Sequence, residues 1–381
     1  MLPQLEIAKR VCRVCLGKRL ELLSSLSGFP RGAQYFLPDL SNVDADKSVS
    51  LEVVQCIDCG LVQLTNAPVD YYQDVITAAA LSPKSKDQLK QEWQPIITKH
   101  SLQGKPAIEI GSGTGDFLEV LKHLGLVAIG LEHSQTNVHS GQAKSLNVQK
   151  GYLLDNQPLG KFALVVCNNY LEHQPQTGTF LKTLASLLED DGILYLSVPN
   201  LEYLLRKSCL YEFVADHLVY FTRDTLRLAC EISGLVVIDQ YQKNNDNDLV
   251  LIAAKRKPLC LTDSIKIVDE ISRSLKQCVV RAKEAGKTIA VWGAGHRALA
   301  LMAISDLIEI DFIVDSATFK QGNFTPLLRK RIVSPAELIK NGCDLLIVML
   351  PGNFAKHIET FIVDNNLSCE VIFFEDKKLT V

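Results

Sequence analysis

The chain has 381 residues, enough for two or three domains, and its 47% hydrophobic and 22% charged composition is that of an ordinary globular protein. No apolar run approaches the ~18 to 20 residues that cross a bilayer. A formal net charge of -3 removes any whole-chain case for a nucleic-acid or anionic-membrane partner.

Four of the eleven cysteines come first, as Cys12-x-x-Cys15 and Cys56-x-x-Cys59. Two such knuckles supply four thiolates, which is what a closed tetrahedral zinc site takes. The expectation is a structural zinc module over residues 1–70. The remaining cysteines are scattered and read as buried or inert. With no signal-peptide core in MLPQLEIAKRVCRVC, they point to a reducing cytoplasm. Tyr71-Tyr72 follows, ahead of a helical lead-in ending near residue 100. Read from the residues alone, adjacent tyrosines are packing aromatics.

Ala107 to Glu132, AIEIGSGTGDFLEVLKHLGLVAIGLE, reads as strand, glycine turn, amphipathic helix, strand and acid. Asp116 is placed as the helix N-cap. The turn is E-x-G-x-G-x-G, with Glu109, Gly111, Ser112, Gly113 and Gly115. Its third glycine falls one position too early for the dinucleotide pattern G-x-G-x-x-G/A. This spacing resembles the S-adenosylmethionine (SAM) loop of class I methyltransferases. Glu132 is placed where an acid accepts hydrogen bonds from a ribose diol.

Strands and helices then alternate to about residue 255, which predicts a mainly parallel sheet covered on both faces. Strand Phe162–Asn168 ends in Asn168-Asn169, where cofactor contacts are expected. Asp191-Gly192 reads as a turn before a strand over Ile193–Val198, and strands near 235–238 and 249–254 read as a closing hairpin. Between them lies LYEFVADHLVYFTRDTL, with Asp216-His217 beside Tyr220 and a capped helix start at Thr222. An acid beside a histidine orients it and sets its proton affinity, the arrangement of a general base. Adjacent residues face one another only in a loop or bend, and a plain surface pair is the alternative. His173, in NNYLEHQPQ, is a second histidine near the strand ends.

Residues 259–381 read as a second α/β unit. Gly293-Ala294-Gly295-His296-Arg297-Ala298 fits G-x-G-x-x-A, and Asp315 ends the following strand. Alone, that is a NAD pattern. Lys320 to Asn323 and Met349 to Asn353 are further candidates for ligand contact.

Taken in order, the paired CxxC knuckles with their tyrosines, EIGSGTG, SVPN, DHLVYFT and KQGNFTP resemble the nucleotide-sugar C-methyltransferases of deoxysugar biosynthesis. The resemblance runs over essentially the whole chain. It implies a zinc module (1–70), a class I SAM methyltransferase domain (71–258, with lead-in 71–100), and a Rossmann-like substrate-cleft domain (259–381) without a second cofactor. It implies SAM and structural zinc as cofactors, and a nucleotide-linked 4-keto-6-deoxysugar methylated at C-3. His217 becomes the base, with Asp216 standing where the family has Glu. Tyr72, or Tyr71, reaches the active site. His173, Tyr71, Tyr220, His296, Arg297 and Lys320 become candidate substrate contacts. An O- or N-methyltransferase and a NAD-dependent oxidoreductase are the rival readings of the residues.

Overall fold

In a computed structural model, which describes residues 11–32, 36–37, 39, 47–74, 81–155, 158–350, 353–375 and 378–380, the chain divides into two units, Met1–Lys257 and Pro258–Val381. The first opens with β1 (Leu20–Phe29), β2 (Val49–Cys56) and β3 (Val62–Leu64), paired antiparallel in that order. Next come β4 (Pro106–Ile110), β5 (Val127–Glu132), β6 (Val148–Lys150), β7 (Phe162–Asn168) and β8 (Leu188–Pro199). Short β9 (Val219–Tyr220) returns to pair with β3, and β10 (Leu235–Lys243) and β11 (Asp248–Lys255) form the closing hairpin.

The main sheet has the order β6-β5-β4-β7-β8-β11-β10. Its first five strands are parallel, and β11 runs antiparallel to both neighbours. This is the Rossmann-like class I methyltransferase sheet expected from the glycine loop. Chain direction across the sheet reverses at β4, and ligands of open α/β sheets bind in the crevice outside the strand ends at such a point. Strands buried on both faces need unbroken apolar runs, and β7 is buried from Phe162 through Cys167.

Two local expectations need correction. Gly115 (φ 82°) is the N-cap, and Asp116 is the first helical residue of Asp116–His123. The Asp116 carboxylate instead pairs with Lys86 (2.8 Å) and Lys144 (3.0 Å). Asp191-Gly192 lies inside β8, where a Cβ at position 192 would sit 2.6 Å from the Phe162 carbonyl oxygen. That close approach, and not a turn, is what asks for glycine. Cys260 is exposed, whereas Cys167 and Cys230 are buried.

The second unit stacks β12 (Ile289–Trp292), β13 (Phe312–Val314), β14 (Ile332–Val333), β15 (Leu345–Val348), β16 (Glu370–Glu375) and β17 (Lys378–Thr380) in the order β14-β13-β12-β15-β16-β17. All pairs are parallel except β16 with β17. Helix Thr262–Glu284 lays Leu275, Val279 and Ala282 on this sheet. Among the described residues no helix is long and apolar enough to cross a membrane.

Candidate functional site

The E-x-G-x-G-x-G turn follows β4 with Gly111, Gly113 and Gly115 at φ 73°, 52° and 82°, a region that side chains with a Cβ rarely enter. Glu132, at the end of β5, pins it: its carboxylate accepts from Gly113 N (2.8 Å) and Ser134 N (2.9 Å). Each oxygen still has acceptor capacity for a ligand hydroxyl. Burial pushes the Glu132 carboxyl up, against the pull of those two N–H groups. Beneath it, Glu109 is buried and its Oε2 has no partner. Burial, then the nearby Glu132 and Asp116, hold that carboxyl well above the usual range. An orphaned buried carboxyl under a turn of left-handed glycines fits a site that receives a polar ligand. At the neighbouring strand ends, Ser197 Oγ donates to both Asn168 Oδ1 (3.1 Å) and Asn169 Oδ1 (3.2 Å), with Asn169 at φ 43°.

A turn at Tyr71–Asp74 ties this crevice to the Asp-His segment. Asp74 Oδ1 meets His133 Nδ1 at 2.7 Å, next to Glu132. The Gln73 carbonyl accepts from the Tyr170 hydroxyl, next to Asn169. Tyr71 donates to Asp216 Oδ1 at 2.6 Å. The hydroxyl that reaches the Asp216-His217 segment is therefore Tyr71's. The Tyr72 ring packs edge-on against Tyr152, centroids 6.1 Å apart, and joins the apolar core.

His217 is half-buried, its ring 4.7 Å from that of His173 and 6.1 Å from that of Tyr220. Burial, then the His173 ring, pushes His217 down to about 3, so its imidazole is neutral at physiological pH. The Asp216 carboxylate, expected to orient His217, holds Tyr71. The Asp216 backbone carbonyl accepts from His173 Nδ1 (2.9 Å). Tyr220 spends its hydroxyl on Val214, accepting from its N–H (2.9 Å) and donating to its carbonyl (3.3 Å). It thereby closes the loop that presents His217. Sequence reading missed Glu172, which is 2% exposed, with Oε2 unpartnered. Burial pushes its carboxyl up to about 8. Nothing in the string NNYLEHQPQ marks that glutamate as buried. A recess lined by Asn66, Pro68, Val69, Asp70, Tyr71 and Ala215 opens beside this cluster.

The four knuckle cysteines come together. Their sulfurs all lie within 4.8 Å of one another, with Cys12–Cys59 at 3.5 Å and Cys15–Cys56 at 3.6 Å. Tetrahedral geometry with metal–sulfur bonds of ~2.3 Å separates sulfurs by about 3.8 Å, so the set fits a four-thiolate metal site. Val14 N and Gly17 N point at Cys12 Sγ (3.5 Å) and Cys15 Sγ (3.3 Å).

The module also grips the histidine segment. Val62 pairs with Tyr220 and Gln63 with Val219, and Leu64 N donates to the Leu218 carbonyl (2.9 Å). Buried Arg13, between the knuckle cysteines, donates to the carbonyls of Leu64, Asn66 and Pro175. Its own carbonyl accepts from Gly178 N (2.8 Å). Glycine is required there, because a Cβ would lie 2.5 Å from the Val14 carbonyl oxygen.

In the second unit the Gly293 turn also packs onto an acid. Asp315 Oδ2 accepts from Ala294 N (2.8 Å) and Lys320 Nζ (2.9 Å), and Oδ1 from Ala317 N (2.9 Å). Lys320 is thus engaged with Asp315. His296 and Arg297 are exposed on the first turn of helix His296–Ile304. Of the other candidates, Pro351 and Gly352 and the Asn353 side chain lie outside the described residues.

Comparison with known proteins gives two family matches. A methyltransferase domain matches residues 85–240, and a C-methyltransferase C-terminal domain matches residues 261–362. The chain is 24% identical over 385 residues to the C-methyltransferase NovU of Streptomyces niveus, covering 91% of this chain and 90% of NovU. It is 31% identical over 114 residues to a ubiquinone biosynthesis O-methyltransferase of Bradyrhizobium diazoefficiens, 28% of this chain and 44% of that one. Among solved structures, the magnesium protoporphyrin IX methyltransferase ChlM from Synechocystis PCC 6803, with bound SAH, is 18% identical. That alignment covers 49% of this chain and 97% of ChlM, with a TM-score of 0.39.

Proposed function

The chain belongs to the SAM-dependent C-methyltransferases, and from that premise we propose that it methylates C-3 of a nucleotide-linked 4-keto-6-deoxysugar. The observation that carries this reading is the Tyr71–Asp74 turn, which bonds to the glycine-loop crevice at one end and to Asp216, the neighbour of His217, at the other. A base beside a methyl donor is what methylation at carbon needs.

SAM, when bound, supplies an electrophilic methyl group. Glu109, Gly111, Ser112, Gly113, Gly115, Glu132, Asn168 and Asn169 are the residues assigned to hold it. His217 takes the C-3 proton, which the adjacent ketone makes acidic. Burial keeps bulk water from competing for that proton. On substrate binding Tyr71, in place of Tyr72, is assigned to turn its one hydroxyl proton from Asp216 to the developing enolate oxygen, the stabilisation that contributes most in such steps. Asp216 positions Tyr71 by accepting from it, and Asp216 and Tyr220 together hold the His217 loop in shape. His173 lines the same pocket. In the second unit, taken by itself, His296 and Arg297 are assigned to bind phosphate, whereas Lys320 is drawn off by Asp315. The four-cysteine site is assigned zinc, and a cytoplasmic setting keeps its thiols reduced.

NMR of nucleotide 4-keto-6-deoxysugars in deuterated water tests the mechanism. Wild-type enzyme exchanges the C-3 proton without SAM and places a methyl on that carbon once SAM is added. His217→Gln loses both by at least ~10²-fold, the usual contribution of a general base. Full exchange in His217→Gln removes the assignment. A methyl on oxygen, with no exchange at carbon, moves the reading to the O-methyltransferases that share the central segment.

A further inference from the structure

We propose that Glu172, His173 and His217 form a second metal site, separate from the four cysteines, that takes a divalent transition-metal cation. One ligand atom from each of the three lies within 4.8 Å of the others, a spacing that one ion can span. Two imidazoles and a carboxylate are the donor set of mononuclear zinc and iron(II) centres that keep positions open for water or substrate.

Two further observations point to a cation. Glu172 Oε2 is buried without a partner, and no lysine or arginine pairs with this carboxyl among the described residues. A buried carboxyl without a cation stays protonated, and a metal ion is what would let Glu172 ionise where it stands. His173 is already oriented as a ligand. Its Nδ1 faces the Asp216 carbonyl at 2.9 Å, and a carbonyl can only accept, so the proton sits on Nδ1 and the lone pair on Nε2. A backbone carbonyl that fixes the tautomer from behind is the outer-shell partner that metal-bound histidines show.

The site goes beyond the sugar reading and does not depend on it. A cation there occupies the His217 lone pair that proton abstraction uses. Metal occupancy and catalysis by His217 therefore exclude each other.

The test uses the full-length protein with its cysteine site loaded with zinc, titrated with Co²⁺ and followed by visible absorbance. The expected result is one further equivalent of Co²⁺, with ligand-field bands and no sulfur charge-transfer band. In Glu172→Gln, with zinc content and circular dichroism unchanged, Co²⁺ affinity falls at least tenfold. Should that variant fail to fold, His173→Gln gives the same readout. A wild type that takes up no Co²⁺ beyond its zinc, or a folded Glu172→Gln that binds as wild type does, overturns the site.

The C-3 exchange assay separates the two proposals. Bound Co²⁺ that slows exchange supports both. Bound Co²⁺ that speeds exchange keeps the metal site and removes His217 as the base.

Discussion

Glu132 and Asp315 occupy equivalent places in the two units. Each ends the strand that follows a glycine turn, and each accepts a backbone N–H from that turn, Gly113 in one case and Ala294 in the other. Around Glu132 the donors are neutral, the backbone N–H groups of Gly113 and Ser134 among them, and the nearby Asp74 carboxylate adds negative potential. Around Asp315 the chain brings its own cation, Lys320 at 2.9 Å. The first acid keeps acceptor capacity on both oxygens, whereas the second is paired with a cation of its own fold. The same backbone device therefore leaves an acid open to further donors in one unit and pairs it with a lysine in the other. A glycine pattern alone does not tell the two uses apart.

Removing metal from the cysteine site should separate the two units most. Chelation, or Cys56→Ser, is expected to cost the first unit several kcal/mol, on the order of a structural zinc's contribution. Amide hydrogen exchange should then rise over β2, β3 and β9 while β12 and β15 keep their protection. A uniform rise across both units would mean they are not energetically distinct.

The acids come next. Glu132→Ala is expected to weaken binding of S-adenosylhomocysteine by roughly 10- to 100-fold, the equivalent of losing hydrogen bonds to a charged acceptor. Asp315→Ala should leave that affinity within about twofold. Equal losses in calorimetric titrations would erase the contrast.

The smallest effect concerns the turns themselves. Gly115→Ala forces a side chain to φ 82° with its Cβ 2.6 Å from Leu146 Cδ1, and should cost about 1–2 kcal/mol in urea unfolding. Gly295, at φ -88° with nothing within 4 Å of an added Cβ, should accept alanine within ~0.5 kcal/mol. A large cost at Gly295 would show that the second turn, too, is built to tight tolerance.

What could be read from the sequence was what short-range chemistry writes. The E-x-G-x-G-x-G spacing specifies backbone angles locally, and the paired CxxC knuckles announce a four-thiolate cluster. The helix start at Thr222 is likewise local, a capping box with Thr225. The choice between Tyr71 and Tyr72 was not legible. Neighbouring rings diverge, and which one meets Asp216 is decided by a segment 145 positions away. Asp216-His217 looked like a pair because the residues are adjacent. Adjacency on a bent loop instead sent the carboxylate to Tyr71 and left Glu172 beside the imidazole. Glu172 had no signal at all, since burial of a charged residue is a tertiary event.

The join between β3 and β9 also sets an order of events during synthesis. Arg13 meets the Pro175 carbonyl across 162 positions of chain, and Tyr71 meets Asp216 across 145. Contacts of such sequence separation form late, after the loop entropy they close has been overcome. A growing chain can fold its knuckles and its glycine turn well before Tyr220 has left the ribosome. The pocket that holds His217 cannot exist until then. A nascent chain stopped short of β9 would carry its glycine turn with the Asp216-His217 loop still unheld.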